Sequence, residues 1–100
     1  MTILNTTFFA DDTMAQHLRL WLEQTYIPAA RQAGIFTHIE AAHVTEPVEP
    51  GVKNIAVRCA GADLEQARHW HDNTAAEIRN SLAAQCGQHV VWFTTYLETI

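Results

Sequence analysis

The sequence predicts an α+β domain in βαββαβ order, with a four-stranded antiparallel sheet and two helices on one of its faces. Three observations carry this. Stretches that alternate between apolar and polar residues fall at 2–10, 35–45, 52–60 and 88–98. A stretch with helical spacing separates the first from the second, and another separates the third from the fourth. Only a short loop of turn residues joins the second to the third, so those two form a hairpin. That order is the ferredoxin-like one. It fills all 100 residues as a single domain, 1–100, with room for one modest core.

The elements follow in order. Residues 2–10 (TILNTTFFA) are β-branched or aromatic at most positions, as a strand requires. Asp11 and Asp12 then stop the strand and place negative charge at a helix start. Met14, Leu18, Trp21, Leu22 and Tyr26 form the apolar stripe of the first helix. Pro28 removes a helix hydrogen bond, which predicts a kink or restart near Tyr26-Ile27. Gly34 ends that helix, and 35–45 (IFTHIEAAHVT) form the second strand. The loop Glu46-Pro47-Val48-Glu49-Pro50-Gly51 is the one segment predicted to be flexible.

Residues 52–60 (VKNIAVRCA) form the third strand. Asp63, with Gln66 three residues on, reads as a capping box. The second helix then presents Leu64, Ala67, His71, Ala75, Ile78 and Leu82 along one stripe, Trp70 reads as core and His69 as exposed. Gly87 closes it before the last strand, 88–98 (QHVVWFTTYLE).

Composition narrows the function classes. Hydrophobic residues make up 48% of the chain and charged residues 17%, which marks a globular protein with part of its surface covered by a partner subunit. A net charge of −5 argues against nucleic acid and against an anionic membrane surface. The start of the chain has no basic region or long apolar run, so no signal peptide is expected. Cys59 and Cys86 are too few for a disulfide framework and read as cytosolic thiols, which predicts a cytoplasmic protein.

Alternation sorts each strand into two faces. One set is Leu4, Thr6, Phe8 and Ala10, with Ile39 and Ala41, with Ile55, Val57 and Cys59, and with Val91, Phe93, Thr95 and Leu97. This nearly apolar set is expected under the helices. The other set is Asn5, Thr7 and Phe9, with Phe36, His38 and Glu40, with Asn54, Ala56 and Arg58, and with Trp92, Thr94 and Tyr96. So many rings on a bare face imply an interface or a ligand site. A second copy packed face to face satisfies both, giving a dimeric α+β barrel. In strand order 4-1-3-2, Asn5 and Arg58 lie on central strands, with Trp92 and His38 on opposite flanks. Asn5, His38, Arg58, Trp92 and Tyr96 are the candidate ligand-binding residues. Without a ligand, the same residues fill a dimer interface, with Arg58 paired to Glu40.

Other chemistry is weakly supported. His69 and His71 are two apart on a helix and point away from each other, and His38 and His43 are five apart on a strand, on opposite faces. No metal-ligand spacing is present, and neither a metal nor a cofactor is expected. His38 and Glu40 share a strand face and form a candidate acid–base pair, with Arg58 near for an anion. Cys59 is expected to be buried and inert, and Cys86 sits at a helix C-terminus, which disfavours a thiolate. The four glycines all fall at turns or caps, so there is no phosphate loop.

The chain also resembles a bacterial family of short proteins known as a domain of unknown function. The resemblance runs through Asn5-Thr6-Thr7, Trp21-Leu22 to Tyr26-Ile27-Pro28, Gly34-Ile35-Phe36-Thr37 and Val91-Trp92-Phe93-Thr94-Thr95-Tyr96-Leu97-Glu98. It implies the ferredoxin-like fold and dimerisation, and carries no active site. The architecture is similar to the dimeric α+β barrel superfamily, which includes cofactor-independent monooxygenases, haem-degrading enzymes and isomerases. Asn5 and Trp92 resemble an Asn and a Trp that some of those oxygenases use. The expectation is a cytosolic homodimer binding a small apolar or aromatic ligand between its sheets. A monooxygenase- or isomerase-like enzyme and a purely structural interaction module are the alternatives.

Overall fold

A computed structural model describes every residue of the chain except Pro47 and Val48. Strand β1 spans Thr2–Asp11. A helical run follows as α1 (Ala15–Trp21), a π-helical turn (Leu22–Tyr26) and α2 (Ile27–Gln32). Strands β2 (His38–His43) and β3 (Val52–Ala60) come next, then α3 (Leu64–Asp72), α4 (Thr74–Cys86), a 3₁₀ turn (Gly87–His89) and β4 (Val90–Glu98). The strands are antiparallel in the order β2-β3-β1-β4, the ferredoxin-like arrangement. Among the described residues no helix is long and apolar enough to cross a membrane.

The first helical run bends where Pro28 requires it. Proline has no N–H to give to the preceding turn, and the backbone widens instead. The N–H of Ile27 reaches back five residues to the carbonyl of Leu22. Leu18, Trp21, Leu22 and Tyr26 all end up buried, so the stripe survives the bend.

The second helical stretch is two helices rather than one, broken at Asn73 (φ −116, ψ −82). Arg79 of α4 is buried and folds back over the break. Its guanidinium donates to the carbonyl of His71 (2.9 Å) and to His71 Nδ1 (3.0 Å). It thereby satisfies a carbonyl that the end of α3 leaves without a helical partner. The Asp63–Gln66 capping box is present at the start of α3 in both directions. Leu64, expected in the buried stripe, is exposed, because the helix begins at the rim of the sheet.

The core lies between these helices and one sheet face. Leu4, Phe8 and Ala10 of β1 and Ile55, Val57 and Cys59 of β3 are all buried there. Phe8 is its centre, with its ring against Trp21 (5.6 Å), Tyr26 (5.5 Å) and Trp92 (6.0 Å). Burial pushes the Cys59 thiol up to about 12 and raises that of Cys86 as well, so both cysteines stay protonated and unreactive at neutral pH.

Candidate functional site

Among the described residues, no layer covers the sheet face opposite the helices. On β1 it carries Ile3, Asn5, Thr7 and Phe9, paired across the ladder with Ala60, Arg58, Ala56 and Asn54 of β3. On β2 it carries His38, Glu40 and Ala42. On β4 the same register places Val91, Phe93, Thr95 and Leu97 there, beside Phe9, Thr7, Asn5 and Ile3. Val91 is 54% exposed, Phe93 52% and Leu97 40%. Phe93 stacks on Phe9 with ring centres 5.6 Å apart. The open face is therefore an apolar ridge along β4 and β1, and a polar margin along β3 and β2.

This reverses the two faces expected for β4. Trp92 and Tyr96, candidate ligand residues, turn toward the helices with Thr94. Trp92 packs on Phe8, and Tyr96 lies against His71 (6.2 Å) under the guanidinium of Arg68 (5.5 Å). Both faces of this strand carry apolar side chains, so alternation alone does not say which side is buried. Thr6 is fully buried on the core side, and the hydroxyl of Thr94 directly opposite lies 3.1 Å from its own. Phe36 is displaced as well. It precedes β2, which starts only at His38, and its ring packs edge-on against Trp70 of α3 (5.3 Å).

Asn5, His38 and Arg58 do lie on the open face. Asn5 and Arg58 face each other across β1 and β3. Glu40 is opposite Arg58 on the other side, yet its carboxylate bonds His38 instead (3.3 Å). That pair is exposed on both members and stands on an edge strand, outside any cleft it lines with Asn5 or Arg58. Among the described residues, no group of three or more His, Cys, Asp or Glu gathers to hold a metal ion.

The concave part of the open face lies at its other end, about 13 Å along β3 from Arg58 at 3.3 Å per residue. A cleft of about 440 Å³ is lined there by Phe9 and Asp11 of β1 and by Val52 and Asn54 of β3. Gln88, His89 and Val91 around the start of β4, and Glu49 of the loop before β3, complete it. Phe9, Val52 and Val91 make its walls apolar. Asn54 is only 4% exposed, and its Oδ1 has no hydrogen-bond partner among the described residues. A buried amide in that condition is uncommon and marks a place where a ligand group belongs.

Asp11 and His89 stand side by side at this cleft. Asp11 ends β1, and one of its oxygens accepts from the Thr13 hydroxyl and from the N–H groups of Thr13 (3.1 Å) and Met14 (3.3 Å). Its other oxygen receives Nδ1 of His89. The Thr13 hydroxyl first, and His89 next, hold the Asp11 carboxyl down at about 2, so it is ionised at neutral pH. A carboxylate only accepts, so Nδ1 carries a ring proton, and in the neutral ring Nε2 is the free nitrogen.

In the sequence, Asp11 reads as a helix start and His89 as one more surface histidine. The missing signal is register. Thr2 to Ala10 pair with Glu98 to Val90, and one further step sets Asp11 beside His89.

The whole chain, residues 1–100, matches the family described as Domain of unknown function (DUF4286), and the chain belongs to that family. No curated protein matches it at a significant level. Among solved structures it is similar to a protein described as a "putative antibiotic biosynthesis monooxygenase" from Deinococcus radiodurans. That likeness has 20% identity and a TM-score of 0.74, covering 100% of this chain and 93% of that one. It is also similar to an ethyl tert-butyl ether d (ethd) family protein of Bacillus halodurans, with 10% identity, a TM-score of 0.66 and full coverage of both chains. A third is a dimeric ferredoxin-like protein from an uncultured marine organism, with 10% identity and a TM-score of 0.61, covering 99% and 95%. At these identities the likeness establishes the fold.

Proposed function

We propose that this chain works as a cytoplasmic homodimer whose two open sheet faces pack together and enclose a small, uncharged apolar or aromatic ligand. The observation that carries this is the exposed row Val91, Phe93 and Leu97 on a sheet face that nothing among the described residues covers. Four strands 4.8 Å apart, three of them nine or ten residues long and β2 six, give a face about 19 Å wide and about 20–30 Å long. Its corrugated surface is close to the ~800 Å² per partner of a standard stable interface. A second copy is the economical cover, and the marine ferredoxin-like neighbour is described as dimeric.

The ligand space then has two ends. Phe9, Val52, Val91 and Asn54 form the concave one. Asn5, His38 and Arg58 supply polar groups at the other, in the role expected of them from sequence. Asp11 and Glu49 at the cleft disfavour an anion, which is why the ligand is taken as uncharged.

Thermal shift in the presence of 2-naphthol and 2-tetralone tests the ligand reading. A ligand at ten times its Kd adds about 1.4 kcal/mol, which raises Tm by roughly 5 °C or more in a domain of this size. Phe9→Ala removes a cleft wall and is expected to abolish most of that rise. If neither compound, nor any member of a wider panel of haem, flavins and aromatic acids, moves Tm, the chain is a scaffold and not a binder. The enzyme reading gains its own support from the Asp11–His89 pair, which places an oriented imidazole at the same cleft. A monooxygenase site built jointly from Asn5, Arg58, Trp92 and Tyr96 does not, because the last two lie on the other side of the sheet.

A further inference from the structure

We propose that Asp11 and His89 form an acid–base site that moves a proton on a neutral, enolisable carbonyl compound held in the open-face cleft. The inference rests on that cleft being a ligand site, and adds to it a reaction class and two residues with roles. Three independent features converge on it. The first is the hydrogen bond from Nδ1 of His89 to the Asp11 carboxylate, which fixes the tautomer of the neutral ring as the one with its lone pair on Nε2. The second is the cleft itself, about 440 Å³ with walls from Phe9, Val52 and Val91, in size and character suited to one or two fused rings. The third is Asn54, a nearly fully buried amide with an unpaired oxygen, lining the same cleft.

The chemistry balances without a further reactant. His89 Nε2 takes a proton from the carbon next to the carbonyl. The C–H bond breaks, its electron pair moves into the conjugated carbonyl system, and an N–H bond forms on the ring. The imidazolium so produced is stabilised by the Asp11 carboxylate, which keeps its charge throughout. Returning the proton to the same carbon is exchange, and returning it to a different conjugated carbon is isomerisation. Asn54, whose buried amide atom is the oxygen, is placed without any turn of its amide to offer its N–H₂ to the enolate oxygen. His89 is the catalytic residue, and Asp11 is a positioning residue that acts through it.

The charged and titratable neighbours are consistent with a neutral substrate. Asp11 from β1, Glu49 from the loop and His89 from the turn before β4 are the ionisable side chains lining the cleft, and Asp12 approaches Gly51 beside it. Asp11 owes its low pKa first to Thr13, so it remains an anion whether or not His89 is protonated. An anionic ligand would meet carboxylates on two sides.

The experiment follows deuterium wash-in at the carbons next to the carbonyl of 2-tetralone, by NMR in D₂O, with the full chain. Binding of the same probe is measured in parallel by saturation transfer. Exchange faster than in buffer is expected, and His89→Gln is expected to lose roughly 100-fold of the enhancement while still binding the probe. The ring ¹⁵N shifts of His89 are expected to show a protonated Nδ1, and Asp11→Asn to redistribute the proton between the two nitrogens. Binding without accelerated exchange, or exchange that His89→Gln leaves unchanged, overturns the acid–base site and spares the ligand reading. Absence of binding to this probe, to 2-naphthol and to every compound of the wider thermal-shift panel overturns both.

Discussion

Phe93→Asp is expected to leave the fold intact and turn the dimer into a monomer. The side chain is 52% exposed in the single chain and projects from the open face, so the folded protomer loses only its stacking on Phe9. In the proposed dimer the same position lies in the middle of the covered ridge, between Val91 and Thr95 of its own strand and beside Thr7 of β1. Each copy would bury an unpaired carboxylate there, at a cost of at least about 2 kcal/mol per copy. The two copies together raise the dimer dissociation constant by roughly 100-fold or more. Light scattering at micromolar concentration reads the mass, and circular dichroism confirms that the monomer is folded. Thr95→Asp, nearer the polar margin, serves as the comparison and is expected to weaken the dimer less. If the Phe93→Asp protein runs with the wild-type mass, the face is not the interface.

The second large effect is on acid stability, and it centres on His71. Burial first, and the Arg79 guanidinium second, push this imidazole down to about 4 from its ordinary 6.5, with Asp72 opposing them. The ring is 8% exposed, accepts from Arg79 at Nδ1, and faces Tyr96 of β4, which Arg68 overlies. The native state thus keeps His71 neutral where the unfolded chain would protonate it. Between pH 6.5 and about 4 the unfolded state binds the extra proton, so stability falls as pH falls through that window.

The loss reaches about 2–3 kcal/mol by pH 4.5 and about 3–4 kcal/mol in full, since each tenfold difference in proton affinity between the folded and unfolded chain is worth about 1.4 kcal/mol. Urea unfolding at pH 7.5 and pH 4.5, at fixed protein concentration, is expected to show this loss in the wild type and a much smaller one in His71→Gln. An equal loss in both proteins would place the acid sensitivity elsewhere. Below about pH 4 a second loss is expected, as Asp11 and Glu98 protonate, because both carboxyls are held below their ordinary values by hydrogen bonds made in the fold.

The residues that could be read from sequence are those whose two sides differ sharply. On β1, Leu4, Thr6, Phe8 and Ala10 alternate with Asn5, Thr7 and Phe9, and on β3 Ile55, Val57 and Cys59 alternate with Asn54 and Arg58. Burial followed that pattern, apart from Thr7 and Asn54, which lie on the open face and are nonetheless buried. Pro28 announced its bend because a missing N–H acts locally. Strand β4 failed because Val91, Phe93 and Leu97 are as apolar as Trp92 and Tyr96, and because both faces carry a threonine, Thr94 or Thr95, that can stand opposite Thr6. The break at Asn73 depends on Arg79 reaching back to His71, a tertiary contact with no signal in helical periodicity. Asp11 and His89 were hidden for the same reason as Trp92. Their adjacency exists only in the β1–β4 register, and a one-residue slip would place them on opposite faces.

The mixed face that defines this chain thus consists of a Phe9–Phe93–Val91–Leu97 ridge, a polar margin bearing Asn5, Arg58 and His38, and a cleft holding Asp11, Asn54 and His89. Whether a second copy covers that face is read from the mass of the wild-type protein in solution, by light scattering across a concentration series from one to one hundred micromolar. Twice the mass of the chain is expected throughout the upper part of that range. A single-chain mass at every concentration would leave the apolar ridge bare in water and contradict the dimer.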